Sequence, residues 1–212
     1  DDDSGSFVLW GQGRVLADDF GYYGLAPQED HSMVTTPGTA NVMQVGEFTA
    51  TPELDYVRGA KGTWERQIAL VKPATPTATP YFMLADTLAA PAPFTWRLWL
   101  LARDVVLTPD LACSPVSAHT DEPAAADGTA MDISFTTPRE CRRALMVGRE
   151  DVDMDIFVLS PQTPHLRTEK KTKESLMGYG TDGKMVSPYH VTQIGLIAEA
   201  KQSTGMTLLL LP

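Results

Sequence analysis

Almost every apolar stretch in this chain is short, changes character at every second residue, and meets a turn signal before a helix could complete several turns. The clearest case is "GTWERQIALVKP". In an extended strand Trp64, Arg66, Ile68 and Leu70 fall on one face, and Glu65, Gln67, Ala69 and Val71 fall on the other. The link "PATPTATP" follows, uncharged and punctuated by prolines that a helix or central strand does not tolerate. With "TPYFMLADTL" beyond it, the pair reads as a hairpin with a long connection.

The same reading extends along the chain. "SFVLWG", "VLADDFGYY", "HSMVTT" and "NVMQVGEFTAT" are strand-like, and "FTWRLWLLARDVVLTP" is too rich in Trp, Val and Leu, and too close to prolines, for a helix. In "MDISFTTP", Met131, Ile133 and Phe135 alternate with Asp132 and Ser134, and "RALMVGRE" and "MDIFVLSP" repeat the pattern. "YHVTQIGLIAEA" and "MTLLLLP" read as a closing strand pair joined by "KQSTG", where Gly205 provides a turn with positive φ. Helix is confined to short turns in "RECRRAL" and "EKKTKESLMG". About a dozen strands, with turn signals about every ten to fifteen residues, predict an all-β fold: a large two-sheet antiparallel β-sandwich with little helix. A single domain over 1–212 is expected at this length, and no fixed repeat suggests a propeller or solenoid.

Composition narrows the function. With 43% apolar and 21% charged residues the chain packs a core, and no apolar run reaches the roughly 20 residues of a membrane helix. A formal charge of −10 argues against nucleic acid as a partner. It also repels an acidic polysaccharide at long range, unless a local basic patch or another domain supplies a positive field. Two basic clusters, Arg139, Arg142 and Arg143 in "PRECRR" and Lys170, Lys171 and Lys173 in "EKKTK", are expected on the solvated surface. Cys113 and Cys141 permit one bridge at most and neither demand nor exclude it. The opening "DDDSGSFVLWG" has no signal-peptide pattern, so the chain reads as cytoplasmic or as a mature or excised piece.

The sequence holds no phosphate-cradling glycine loop, GxSxG, HExxH or CxxC. His119 and His165 are expected in solvent, and His190, at a strand start, to be half-buried and structural. Asp151, Asp153 and Asp155 alternate along a presumed strand and have the oxygen chemistry for Ca²⁺, but without the glycine and closing glutamate of an EF-hand; a solvated strand edge is the commoner meaning. His31 in "DFGYYGLAPQEDHSMVT" stands apart. An imidazole exchanges protons near neutral pH, and Tyr22 and Tyr23 on a glycine-permissive approach bring phenols near it.

Read in order, "GQGRVLADDFGYYG", "EDHSMVT", "TWERQIALVKP", "PYFMLADTL", "FTWRLWLLA", "MDISFTTP" and "TGMTLLLLP" resemble the C-terminal β-sandwich of heparinase II/III-like polysaccharide lyases. In that family an apolar-Asp-apolar-Gly segment precedes a His-Asn or His-Ser step that starts a strand. Asp19-Phe20-Gly21 and His31-Ser32 stand in those places. An Arg-bearing strand ending near Pro is matched from Arg66 to Pro73, an aromatic-apolar strand ending in Asp from Tyr81 to Asp86, and a final Leu-Pro by Leu211-Pro212.

The resemblance implies two stacked antiparallel sheets that pack against an N-terminal α/α-toroid domain, so this chain would be a fragment lacking that domain and inactive alone. It implies β-elimination on a uronate-containing polysaccharide, a glycosaminoglycan or alginate, by a secreted or periplasmic protein. His31 would be the sandwich's cleft histidine, assisting proton transfer or neutralising the uronate, with Tyr22 and Tyr23 as lesser candidates and Arg66 as a substrate contact. Some relatives hold Zn²⁺ through a histidine soon after the catalytic one; here Ser32, Met33 and Val34 follow, none a good ligand. No cofactor is therefore expected, with Zn²⁺ or Ca²⁺ the metals to look for. The alternatives are a non-catalytic carbohydrate-binding sandwich, with Trp10, Trp64, Trp96 and Trp99 as platforms, and a structural or assembly domain in which His31 is a turn residue.

Overall fold

A computed structural model describes residues 3–20, 27–36, 42–75, 78–108, 111, 113–116, 130–149, 151–160, 163–175, 178–179, 184–186 and 189–212. Two long strands form its spine. β7 (Tyr81–Leu100) and β17 (Tyr189–Leu211) pair antiparallel from Phe82↔Leu210 to Leu100↔Ile194. The other strands are β1 (Leu9–Gly11), β2 (Arg14–Ala17), β3 (Val34–Thr35), β4 (Gln44–Ala50), β5 (Leu54–Lys61), β6 (Trp64–Val71), β8 (Ala102–Val106), β9 (Ser114–Pro115), β10 (Ala130–Phe135), β11 (Arg139–Glu140), β12 (Arg143–Gly148), β13 (Met154–Val158), β14 (His165–Ser175), β15 (Gly178–Tyr179) and β16 (Met185–Val186). Five of these are two-residue bridges, and helix among the described residues is confined to short 3-10 turns such as Gln28–Asp30.

The spine joins two arms. The first half of β7 and the end of β17 build β4-β5-β6-β7-β17-β13-β12-β8. The second half of β7 and the start of β17 take β2 and β3 on one edge and β14 on the other, with β10 and β11 beyond β14. Leu84, Leu208, Ile156 and Met146 of the first arm share one apolar core with Trp96, Leu98, Leu196 and Leu166 of the second. The arms are therefore the two layers of the predicted β-sandwich, hydrogen-bonded through strands that pass from one layer into the other.

The bend between layers corrects two expectations. "TPYFMLADTL" and "FTWRLWLLA" are one strand, and "YHVTQIGLIAEA" and "MTLLLLP" are another. The register slips between Ala200 and Gly205. Gly205 has the positive φ expected, 143°, but as a bulge opposite β7: a Cβ there would lie 2.0 Å from the Asp86 carbonyl oxygen. The two short helical turns are also strand where they are described, "RECRRAL" in β11 and β12 and "EKKTKES" in β14. In "EKKTK" the period of two is carried by charge and threonine with no apolar contrast, so hydrophobic patterning does not reveal it.

Cys113 and Cys141 form a disulfide. Asp151 sits in the left-handed region (φ 60°) of the turn from β12 to β13, where the Asp153 carboxylate accepts the Gly148 N–H and Asp155 pairs with Arg143. The three acids thus serve a turn and a cross-strand pair rather than one face of a strand.

Candidate functional site

The even positions of β7 point into the core, and Asp86 falls among them at 2% exposure. A carboxylate in that row survives only if it is bonded on all sides. Its Oδ1 accepts from Trp64 Nε1 at 2.7 Å and Arg66 Nε at 2.8 Å; its Oδ2 accepts from Arg66 Nη2 at 2.9 Å and Trp96 Nε1 at 3.0 Å. Arg66 Nη1 also donates to the Gly5 and Ser32 carbonyls, both at 2.6 Å. Arg66 is 3% exposed, with four of its five donors used inside the fold. Arg66, expected as a substrate contact, directs its charge into the core of this structure. Trp64, Trp96 and Trp99 are buried as well, so of the four tryptophan platforms only Trp10, 61% exposed, faces solvent.

On the outer face of the second arm Trp99 lies across β17 because Gly195 has no side chain; a Cβ there would stand 2.9 Å from the indole. Phe20 packs edge-on against Trp99 with centroids 4.8 Å apart. Over this surface runs the segment that carries His31. Asp30 places one carboxylate oxygen 3.2 Å from Lys171 Nζ and the other against Lys173 Nζ. Lys171 also meets Glu169 at 3.2 Å and the Trp99 ring centroid at 5.2 Å. Asp30, Lys171 and Lys173 are at most 2% exposed, which corrects the solvated-surface reading of "EKKTK"; of its lysines only Lys170 is exposed.

Ser32 pins the other side of His31. Its hydroxyl accepts the Trp99 N–H at 3.0 Å, its N–H donates to Ser6 Oγ at 3.1 Å, and its carbonyl takes Arg66. Met33 and Val34 enter the core, and β3 pairs with β7 through Val34↔Trp96. His31 is thus fixed between two anchored neighbours. It is 3% exposed, and its Nδ1 lies 3.6 Å from Asp19 Oδ2. Tyr22, Tyr23 and His119 lie outside the described residues, as does the His190 side chain. His165 is half-exposed beside Glu140 at 3.5 Å, in line with expectation.

A zinc site next to His31 does not fit, because Ser32, Met33 and Val34 are committed to the backbone of β7 and the core. Among the described residues no three His, Cys, Asp or Glu side chains gather to hold a metal. No helix among them is long and apolar enough to cross a membrane.

No family model and no curated protein matches the sequence. Solved structures do. Heparan sulfate lyase HepC from Pedobacter heparinus matches at 14% identity and a TM-score of 0.56, and a mutant of it at 14% and 0.59. A heparinase III with methylated lysines matches at 10% and 0.57. Each match covers 99% of this chain, which spans only 29 to 30% of the matched chains. At this identity the likeness is one of fold, and the fold of this chain is that of a β-sandwich region in heparinase-type polysaccharide lyases.

Proposed function

We propose that this chain is the β-sandwich portion of a larger lyase-like protein that breaks a uronate-containing polysaccharide by β-elimination, with His31 at the cleft. The observation that supports it most is the fold match over 99% of the chain to structures named as a heparan sulfate lyase and a heparinase III. The reaction needs three services: neutralising the uronate carboxylate, removing the proton beside it, and protonating the departing oxygen. The Asp19 carboxylate lies 3.6 Å from His31 Nδ1, and an imidazole is the side chain that takes and gives protons near neutral pH.

Within this chain the His31 ring is covered; on this reading the rest of the protein, an α/α-toroid domain, completes the cleft. That domain also supplies the positive field that a chain of charge −10 lacks. The Cys113–Cys141 bridge fits a secreted or periplasmic location. The burial of His31 favours a second reading, in which it is a structural turn residue of a non-catalytic sandwich. Product masses test the reaction class: the intact protein should yield a terminal uronate one water lighter than a hydrolysis product. Hydrolysed products, or none from any uronate-containing polysaccharide, would exclude elimination.

A further inference from the structure

At the open edge between the two layers lies a cavity of about 230 Å³ lined by Val105, Leu107, Thr136, Thr137, Arg139 and Thr168. Arg139 reaches it from β11, where it pairs with Leu166, a core residue of β14. Arg58, Arg66, Arg143 and Arg167 each meet a carboxylate. Arg139, half-buried, makes no ion pair and no side-chain hydrogen bond among the described residues. Among the described residues no carboxylate lines the cavity, and the neighbouring described acids are turned elsewhere. Glu140 faces His165, Asp104 caps the N–H of Val105, and Glu169 lies on the opposite face of β14 with Lys171. Partial burial of an uncompensated guanidinium is costly, and an anion with its own apolar surface relieves it. The Thr136 and Thr168 hydroxyls bond one another at 3.0 Å, whereas that of Thr137 makes no hydrogen bond among the described residues.

We propose that this cavity binds the carboxylate-bearing unit of an acidic sugar, with Arg139 on the carboxylate, Thr137 on a ring hydroxyl, and Val105 and Leu107 against the ring's C–H face. Thr168 and Glu169 point to opposite sides of β14, so the site is separate from that of Asp30 and His31. The anion preference rests on Arg139; the choice of a uronate rests on the lyase-like reading, and the two fail separately.

Titrating the intact protein with glucuronate, glucose and sulfate, by calorimetry or by chemical-shift changes at Thr137 and Arg139, is the test. Saturable glucuronate binding is expected, with none for glucose and a loss of about tenfold or more in Arg139→Gln, the usual worth of a charge-assisted hydrogen bond. Thr137→Glu, at an exposed position, should fold normally and block binding by giving Arg139 a carboxylate of its own. Sulfate binding without glucuronate overturns the sugar assignment and leaves the lyase-like reading untouched. Glucuronate binding unchanged by either variant, or no binding of any anion, overturns the site.

Discussion

Asp30 anchors one side of His31 through a buried ionic contact. Its two oxygens face Lys171 and Lys173, which sit on one side of β14 because strand neighbours two apart share a face. Asp30→Ala would remove the carboxylate that two buried ammonium groups share, and chemical denaturation should show a loss of about 3–5 kcal/mol. Replacing the trio together, Asp30→Leu with Lys171→Met and Lys173→Met, should recover most of that loss, since a packed apolar set avoids desolvating charge. A single variant with unchanged stability would mean that the pairs contribute nothing. Asp18 works in the other direction. Burial pushes its carboxyl above the ordinary value, opposed by the hydrogen bond from the Asp19 N–H and helped by the Asp19 charge. A raised folded value favours folding fully below the ordinary carboxylate range, and that contribution is lost as pH rises through the folded value. Asp18→Asn should therefore raise the melting temperature at pH 7 and leave it unchanged below about pH 3. A lowered melting temperature at pH 7 would show that the acid's hydrogen bond matters more than its charge.

The elements were legible where side chains contrast. "TWERQIALV" shows its two faces, and its pairing with "YFMLADTL" follows from them. Asp86 was the exception in that row, readable as a charge on an apolar face but not as the partner of Arg66 20 residues away. β14 was hidden because its buried face is ionic, and the carboxylate of Asp30 that meets Lys171 and Lys173 lies 141 and 143 residues away. The joining of four predicted strands into β7 and β17 was hidden too, because the glycine that reads as a hairpin turn serves equally as a bulge. Gly205→Val tests that device. A φ of 143° and a Cβ 2.0 Å from the Asp86 carbonyl forbid the side chain without backbone movement. The cost should be about 2 kcal/mol or more, with amide-exchange protection lost first around Met206 and Asp86. A fully tolerated valine would mean that the bend does not depend on this residue.

At the scale of the whole molecule, two sheets share two long strands, so the outer face holding His31 is built on the same backbone as the core. Trp96 points inward to Asp86, and Trp99, three residues on, lies outward beneath Phe20. This gives His31 a rigid platform, and the proposed proton-transfer role would need one to meet substrate in a single geometry. The sequence singled out His31 by its motif. It did not show the covering that leaves the ring 3% exposed, which depends on contacts across more than 100 residues. The most direct test of the account is the growth of ultraviolet absorbance from the C4–C5 double bond when the intact protein meets uronate-containing polysaccharides, measured beside its His31→Ala variant and beside this chain alone. The account predicts product from the intact protein and at least about a hundredfold less from the variant, the scale of a lost acid–base group, with none from the isolated chain. An unchanged rate in His31→Ala, with the fold intact, would contradict it.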